Sequence, residues 1–119
     1  MYFIHGPPVF SILGNSVVGF ISRDGGWHFE YAGVVVNASQ LPTSEEGACE
    51  PTCVMLRDHT LTCVLRIDGG DGNAGHSAST PDTFKDYVQV FSRDGRTWTD
   101  PVTMPNMGCI RPNLVRRMR

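Results

Sequence analysis

Lysine is nearly missing from this chain of 119 residues: Lys85 is the only one, against nine arginines. A basic excess is also missing, since ten Lys plus Arg face twelve Asp plus Glu for a net charge of −2. That balance argues against a nucleic-acid partner. No stretch approaches the roughly 18 uninterrupted apolar residues of a membrane-spanning helix, so no membrane span is expected. The first residues, Met1 to Pro8, hold no basic region followed by an apolar run, so no signal peptide is read there. The four cysteines, Cys49, Cys53, Cys63 and Cys109, never take C-x-x-C spacing, which argues against zinc. No Gly-x-Ser-x-Gly nucleophile turn occurs, and no metal or cofactor is expected. A 3.6-residue apolar period is also lacking beyond short windows, which argues against long helices.

What is present points to an all-β domain of ordinary single-domain size. Thirteen Gly and eight Pro break the sequence into short runs rich in β-branched and aromatic residues. The expected strands are Val17 to Ser22, Phe29 to Val36, Thr52 to Leu56, Leu61 to Ile67, Tyr87 to Phe91 and Cys109 to Val115. Thr52 to Ile67 reads as a hairpin turning at Arg57-Asp58-His59-Thr60, and 68–86 as a long exposed loop. The arginine bias suits recognition of planar anions, although GC-rich coding produces the same bias more often. An even cysteine count permits disulfides without requiring them. Asn37-Ala38-Ser39 is a glycosylation sequon that matters only in a secreted protein.

One repeat organises the chain. Ser22-Arg23-Asp24-Gly25-Gly26-Trp27 returns 70 residues later as Ser92-Arg93-Asp94-Gly95-Arg96-Thr97-Trp98, each copy following an apolar strand. Both read as tight turns in which Asp accepts backbone N–H bonds, Gly takes positive φ, and the aromatic packs beneath.

The second copy resembles the Asp-box of sialidases, and Ser22-x-Asp24-x-Gly26-x-x-Phe29 resembles the same box without its usual Thr. In that family the box caps the hairpin between the third and fourth strands of a propeller blade, a structural staple that non-catalytic propellers share. The stretch Cys49 to Arg66 is similar to the sialidase segment in which a Glu opens an inner strand and an Arg closes the return strand, here Glu50 and Arg66, 16 residues apart. His59 stands where the family usually has Gly. Gly108 to Leu114 resembles the start of the next blade. The resemblance implies a partial six-bladed β-propeller over residues 1–119, with boxes near 22–29 and 92–98, comprising about one complete blade plus parts of two neighbours.

Such a fold implies a parent enzyme releasing terminal sialic acid, or a related acidic sugar, from glycoconjugates. Sialidases hold the sugar carboxylate with three arginines and use an Asp acid and a Tyr nucleophile made reactive by a Glu. By position, Glu50 matches the base that takes the phenolic proton, and Arg66 matches the second arginine of the carboxylate clamp. The plainer readings are a surface carboxylate following Glu45-Glu46, and a strand-end Arg paired with Asp68. Arg111 is a further substrate-facing candidate, although a strand or pore-lining role is the commoner one there. The first clamp arginine, the Asp acid, the third arginine and the Tyr nucleophile have no counterpart, and Tyr2, Tyr31 and Tyr87 match none of them. The chain alone is therefore expected to be inactive. Two other functions fit the same residues: a non-catalytic Asp-box module binding carbohydrate or protein, and a transferase passing the sugar to another glycan. Asp68 to Asn73 has the flavour of a calcium loop but lacks the EF-hand glutamate.

Overall fold

The computed structural model describes residues 2–6, 15–42, 44, 46–67, 86–108 and 112–116. Among the described residues seven strands follow one another: β1 (Tyr2–Gly6), β2 (Ser16–Ile21), β3 (Glu30–Val36), β4 (Ala48–Met55), β5 (Leu61–Ile67), β6 (Val88–Ser92) and β7 (Val102–Thr103). They form two antiparallel meanders, a three-stranded sheet in the order β1-β2-β3 and a four-stranded sheet in the order β4-β5-β6-β7. The single helical element among the described residues is a 3₁₀ turn, Ala38–Gln40. Asn37 of the sequon caps it: its side chain accepts from Ser39 N–H, while Gln40 Oε1 accepts from Asn37 N–H at 2.8 Å.

The all-β expectation holds, and five of the six expected strands form within two residues of their expected starts apart from β4, which begins four residues earlier at Ala48. The sixth does not form as expected. Pro112 to Val115, the described part of Cys109 to Val115, carries no strand. Pro112 has no N–H to give a ladder, and Leu114 N–H donates instead to Thr52 Oγ1 at 3.2 Å. β1 and β7 are additional strands. The expected loop at 68–86 lies outside the described residues except for Asp86, and so does the Asp68 to Asn73 candidate.

Alternation in the sequence builds the core. Val88, Val90 and Ser92 of β6 face inward while Gln89 and Phe91 are half-buried. Val17, Val35 and Val36 of the first sheet join Cys63, Leu65, Val88 and Val90 of the second in one cluster, with Trp98 packed against it. Each such fully buried aliphatic side chain contributes about 1.5–3 kcal/mol. Two glycines let the sheets approach. A Cβ on Gly33 would stand 2.6 Å from the Arg96 carbonyl oxygen, and one on Gly47 2.3 Å from the Asn15 oxygen. At the second contact Asn15 N–H donates to Glu46 O at 2.7 Å, and Ala48 N–H donates to Asn15 O at 3.1 Å.

The two repeated turns occupy equivalent places, one between β2 and β3 and the other between β6 and β7. In the second, Asp94 Oδ1 accepts from the N–H groups of Arg96 and Thr97, both at 2.8 Å, and Oδ2 accepts from Thr97 Oγ1 at 2.9 Å. In the first, Asp24 Oδ1 accepts from Trp27 and His28 N–H at 3.1 and 2.9 Å, and Oδ2 meets His28 Nδ1 at 2.5 Å. His28 therefore stands where Thr97 stands, one residue later, because the first turn holds one extra residue. Ser22 and Ser92 each accept from a glycine N–H at 2.8 Å. The expectation that an aromatic packs beneath each turn holds only for the second. Trp98 lies against the core, whereas Phe29, its equivalent after His28, is 47% exposed and Trp27 84%.

Backbone N–H donors hold both aspartates ionised. His28 N–H, the His28 ring and Ser22 lower Asp24 to about 2, and Thr97 and Arg96 N–H lower Asp94 further still. Because the folded values lie below the unfolded value of about 3.9, the stabilisation is complete above pH 4 and lost as pH falls through the folded values. Thermal unfolding followed by circular dichroism should show Tm dropping between pH 4 and pH 2. Asp94→Asn should lower Tm at pH 7 and flatten that acid dependence, and Tm equal to wild type at both pH values would remove the turn from the stability of the fold.

Candidate functional site

The hairpin β4–β5 brings Glu50 and Arg66 together through an irregularity in its ladder. Near the turn the pairs are Met55↔Leu61, Val54↔Thr62, Cys53↔Cys63 and Thr52↔Val64, and at the base they are Cys49↔Arg66 and Ala48↔Ile67. Glu50 and Pro51 thus face the single residue Leu65, which is a β-bulge. Pro51 suits it, having no N–H to offer the ladder. Glu50 takes φ +44°, a left-handed conformation that costs a non-glycine residue about 1–3 kcal/mol. The bulge sends the Glu50 carboxylate to the face where Arg66 and Cys49 already stand opposite each other.

There Arg66 is enclosed, its side chain 7% exposed. Its Nη2 donates to Glu46 Oε1 at 2.9 Å, and its Nε–H points at Cys49 Sγ at 3.2 Å. Glu50 Oε2 lies 3.1 Å from Nε, close enough for ion pairing. It stands off the N–H direction, however, and accepts no hydrogen bond among the described residues. The Glu46 and Glu50 side chains keep 27% and 26% exposure, but Glu50 Oε2 itself is buried against Arg66. Burial works to lower the Arg66 pKa, but Cys49 and the two carboxylates outweigh it and the net shift is upward. Burial, reinforced by the negative charge of Glu46 and Glu50, pushes the Cys49 thiol up to about 11 against the pull of Arg66.

Chemically, the cluster holds one guanidinium facing two carboxylates, with Glu50 Oε2 buried beside it and accepting no hydrogen bond among the described residues. Of the site residues read from the sequence, Glu50 and Arg66 meet, and Arg111 lies outside the described residues. Sequence reasoning missed Glu46 and Cys49 as partners of Arg66. The Glu50-Pro51 step inside a strand was the available signal, since a proline there marks a bulge and a bulge changes which side chains share a face. Cys53 and Cys63, cross-strand partners, form a disulfide, and Cys49 is a buried free thiol. At the turn His59 adopts φ +64°, the conformation a glycine would take, and the register is undisturbed.

An open cleft of about 590 Å³ lies at the turn end of the hairpin, between Thr60, Phe91, Arg93 and Trp98. It is separate from the cluster at the base. Among the described residues no three His, Cys, Asp or Glu side chains group as metal ligands, and no helix is long and apolar enough to cross a membrane. Comparison with protein-family models, curated proteins and solved structures returns no match to this chain.

Two measurements test this geometry. Glu50→Gly should be more stable than Glu50→Ala by about 1 kcal/mol in denaturant unfolding, because only glycine adopts the left-handed bulge without strain. In a regular strand that order reverses, and the reverse order would remove the bulge. Cys49 should react with iodoacetamide at pH 8 about 100-fold more slowly than an exposed thiol, since the thiolate is the nucleophile. Ordinary reactivity would mean that the cluster is open.

Proposed function

We infer that the chain is a segment of a sialidase-type β-propeller, one complete four-stranded blade and three strands of the blade before it. Its parent releases terminal sialic acid, or a related acidic sugar, from glycoconjugates. The observation that carries this reading is a coincidence of places. An Asp-box turn joins the third and fourth strands of a four-stranded meander, and Glu50 and Arg66 meet on its first two strands. In the three-stranded sheet the other box again precedes the last strand, which is the position the family gives it.

In this reading Glu50 takes the phenolic proton of a tyrosine supplied from elsewhere in the propeller. A tyrosine of ordinary pKa near 10 needs such a base at neutral pH. The Glu50 carboxylate is the acceptor in this reading, with Oε2 ion-paired to Arg66 at 3.1 Å. Arg66 holds the sugar carboxylate by its guanidinium fork, and Glu46 occupies part of that fork until substrate replaces it. A transferase would use both residues in the same way and differ only in the acceptor.

A second reading has its own support: Arg66 is enclosed and already compensated by two carboxylates. A non-catalytic Asp-box module binding carbohydrate or protein would use Arg66 as an internal staple. Fluorogenic sialoside turnover by the complete propeller separates the two. Under the enzymatic reading Glu50→Gln lowers kcat more than tenfold, and Arg66→Lys raises KM because an ammonium cannot reproduce the fork. Absence of turnover in the complete wild-type protein, or turnover unchanged in both variants, would leave the binding module.

A further inference from the structure

The Cys53–Cys63 disulfide lies on the hairpin that carries Glu50 and Arg66, three residues from each. Its position decides which of two registers the hairpin can take. The base pairing Cys49↔Arg66, carried straight through without a bulge, would place Glu50 opposite Leu65 and Cys53 opposite Thr62. Successive residues of a strand face opposite sides, so Glu50 would then leave the face of Cys49 and Arg66. That straight register would also relieve the left-handed backbone at Glu50. A bond between Cys53 and Cys63 forbids it, because Cys63 would then stand opposite Thr52. Besides the disulfide, the bulge is held by a polar cluster at the base, by Leu114 N–H donating to Thr52 Oγ1, and by a turn closed by Leu56 N–H to Thr60 O and His59 N–H to Leu56 O.

We propose that the Cys53–Cys63 disulfide is a redox-sensitive register lock that holds Glu50 at Arg66, and that its reduction releases Glu50 from the cluster. Cys63 is fully buried and Cys53 half-buried, so a reductant reaches Cys53 first. A dithiol supplies the electrons. One of its thiolates attacks Cys53 Sγ, the S–S bond breaks, and Cys63 leaves as a thiolate that takes up a proton. The second thiolate of the reductant then attacks the mixed disulfide. It frees Cys53, which is protonated in turn, and leaves the reductant as a disulfide. Two electrons and two protons have passed to the protein. Glu50 and Pro51 no longer have to share Leu65, and the cover that Glu50 gives Cys49 and Arg66 is withdrawn.

Cys49 is a built-in reporter, because it is buried in the cluster and is not part of the disulfide. The whole chain is treated with iodoacetamide at pH 8, oxidised or after dithiothreitol, and labelling is read cysteine by cysteine by peptide mass spectrometry. Reduction should raise the Cys49 rate at least tenfold. Backbone hydrogen exchange should lose protection at Thr52–Met55 and Leu65–Arg66 while β6 keeps its own. Cys53→Ala/Cys63→Ala should behave as the reduced protein without any reductant. If that variant does not fold, reduction of the wild-type chain carries the test. A Cys49 rate unchanged by reduction overturns the proposal. So does loss of protection in β6 along with β4 and β5, since that is unfolding and not a change of register. The functional meaning of the lock rests on the sialidase reading, but Cys49 labelling reports the register whether or not the pair acts on a sugar. The lock and the enzymatic reading therefore fail separately.

Discussion

Enclosing one guanidinium constrains the base of the four-stranded sheet. A buried charge has to be compensated where it stands, and Arg66 meets its partners in one short segment, residues 46–50, at three positions with different backbone settings. Glu46 comes from the segment that docks against Asn15 of the first sheet. Cys49 comes from the facing position of the ladder, and Glu50 from a bulge with left-handed backbone. The contact between the sheets, the irregular ladder and the position of the carboxylates therefore support one another. Gly47, held against Asn15 where no side chain fits, is a case in point. It belongs to the packing of two sheets, and it also sets where Glu46 leaves the backbone.

The fold was legible in the sequence wherever local signals and the tertiary outcome agree. Val88-x-Val90-x-Ser92 alternates, and it forms a strand with one buried side. Leu61 to Ile67 carries the apolar run Cys63-Val64-Leu65 and is buried almost throughout. The misread segment, Cys109 to Val115, shows the limit of such signals. β-rich composition identifies a chain able to pair, whereas pairing needs a neighbour with matching donors and acceptors, and in that segment Leu114 N–H donates to a side-chain hydroxyl of β4. β7 went unnoticed for the opposite reason. Two residues carry no periodicity, and they pair because the second turn delivers them alongside β6.

The site was legible as identities and not as an arrangement. The spacing of Glu50 and Arg66 supplied two partners on adjoining strands, but whether they share a face depends on the count of residues between them across the ladder. One inserted residue changes that answer, and composition does not report it. Glu46 and Cys49 escaped for the same reason: each reaches Arg66 through the register and the path of the backbone, and neither belongs to a pattern with Arg66 along the sequence. The disulfide falls between these cases, since adjacent strands made it possible and only the register set Cys53 directly opposite Cys63.

The two Asp turns differ by one residue and nevertheless close in the same way. In each, one carboxylate oxygen gathers two consecutive backbone N–H groups, and the other oxygen is met by the side chain of the second donor residue, Thr97 or His28. A carboxylate serving as a hub tolerates a variable perimeter, because a longer loop shifts which residues supply the donors without changing their number. Such turns diverge by insertion while their geometry persists. A search pattern of fixed length therefore overlooks copies such as the first, whereas one anchored on the aspartate and on any side-chain donor that follows its second bound amide would find them.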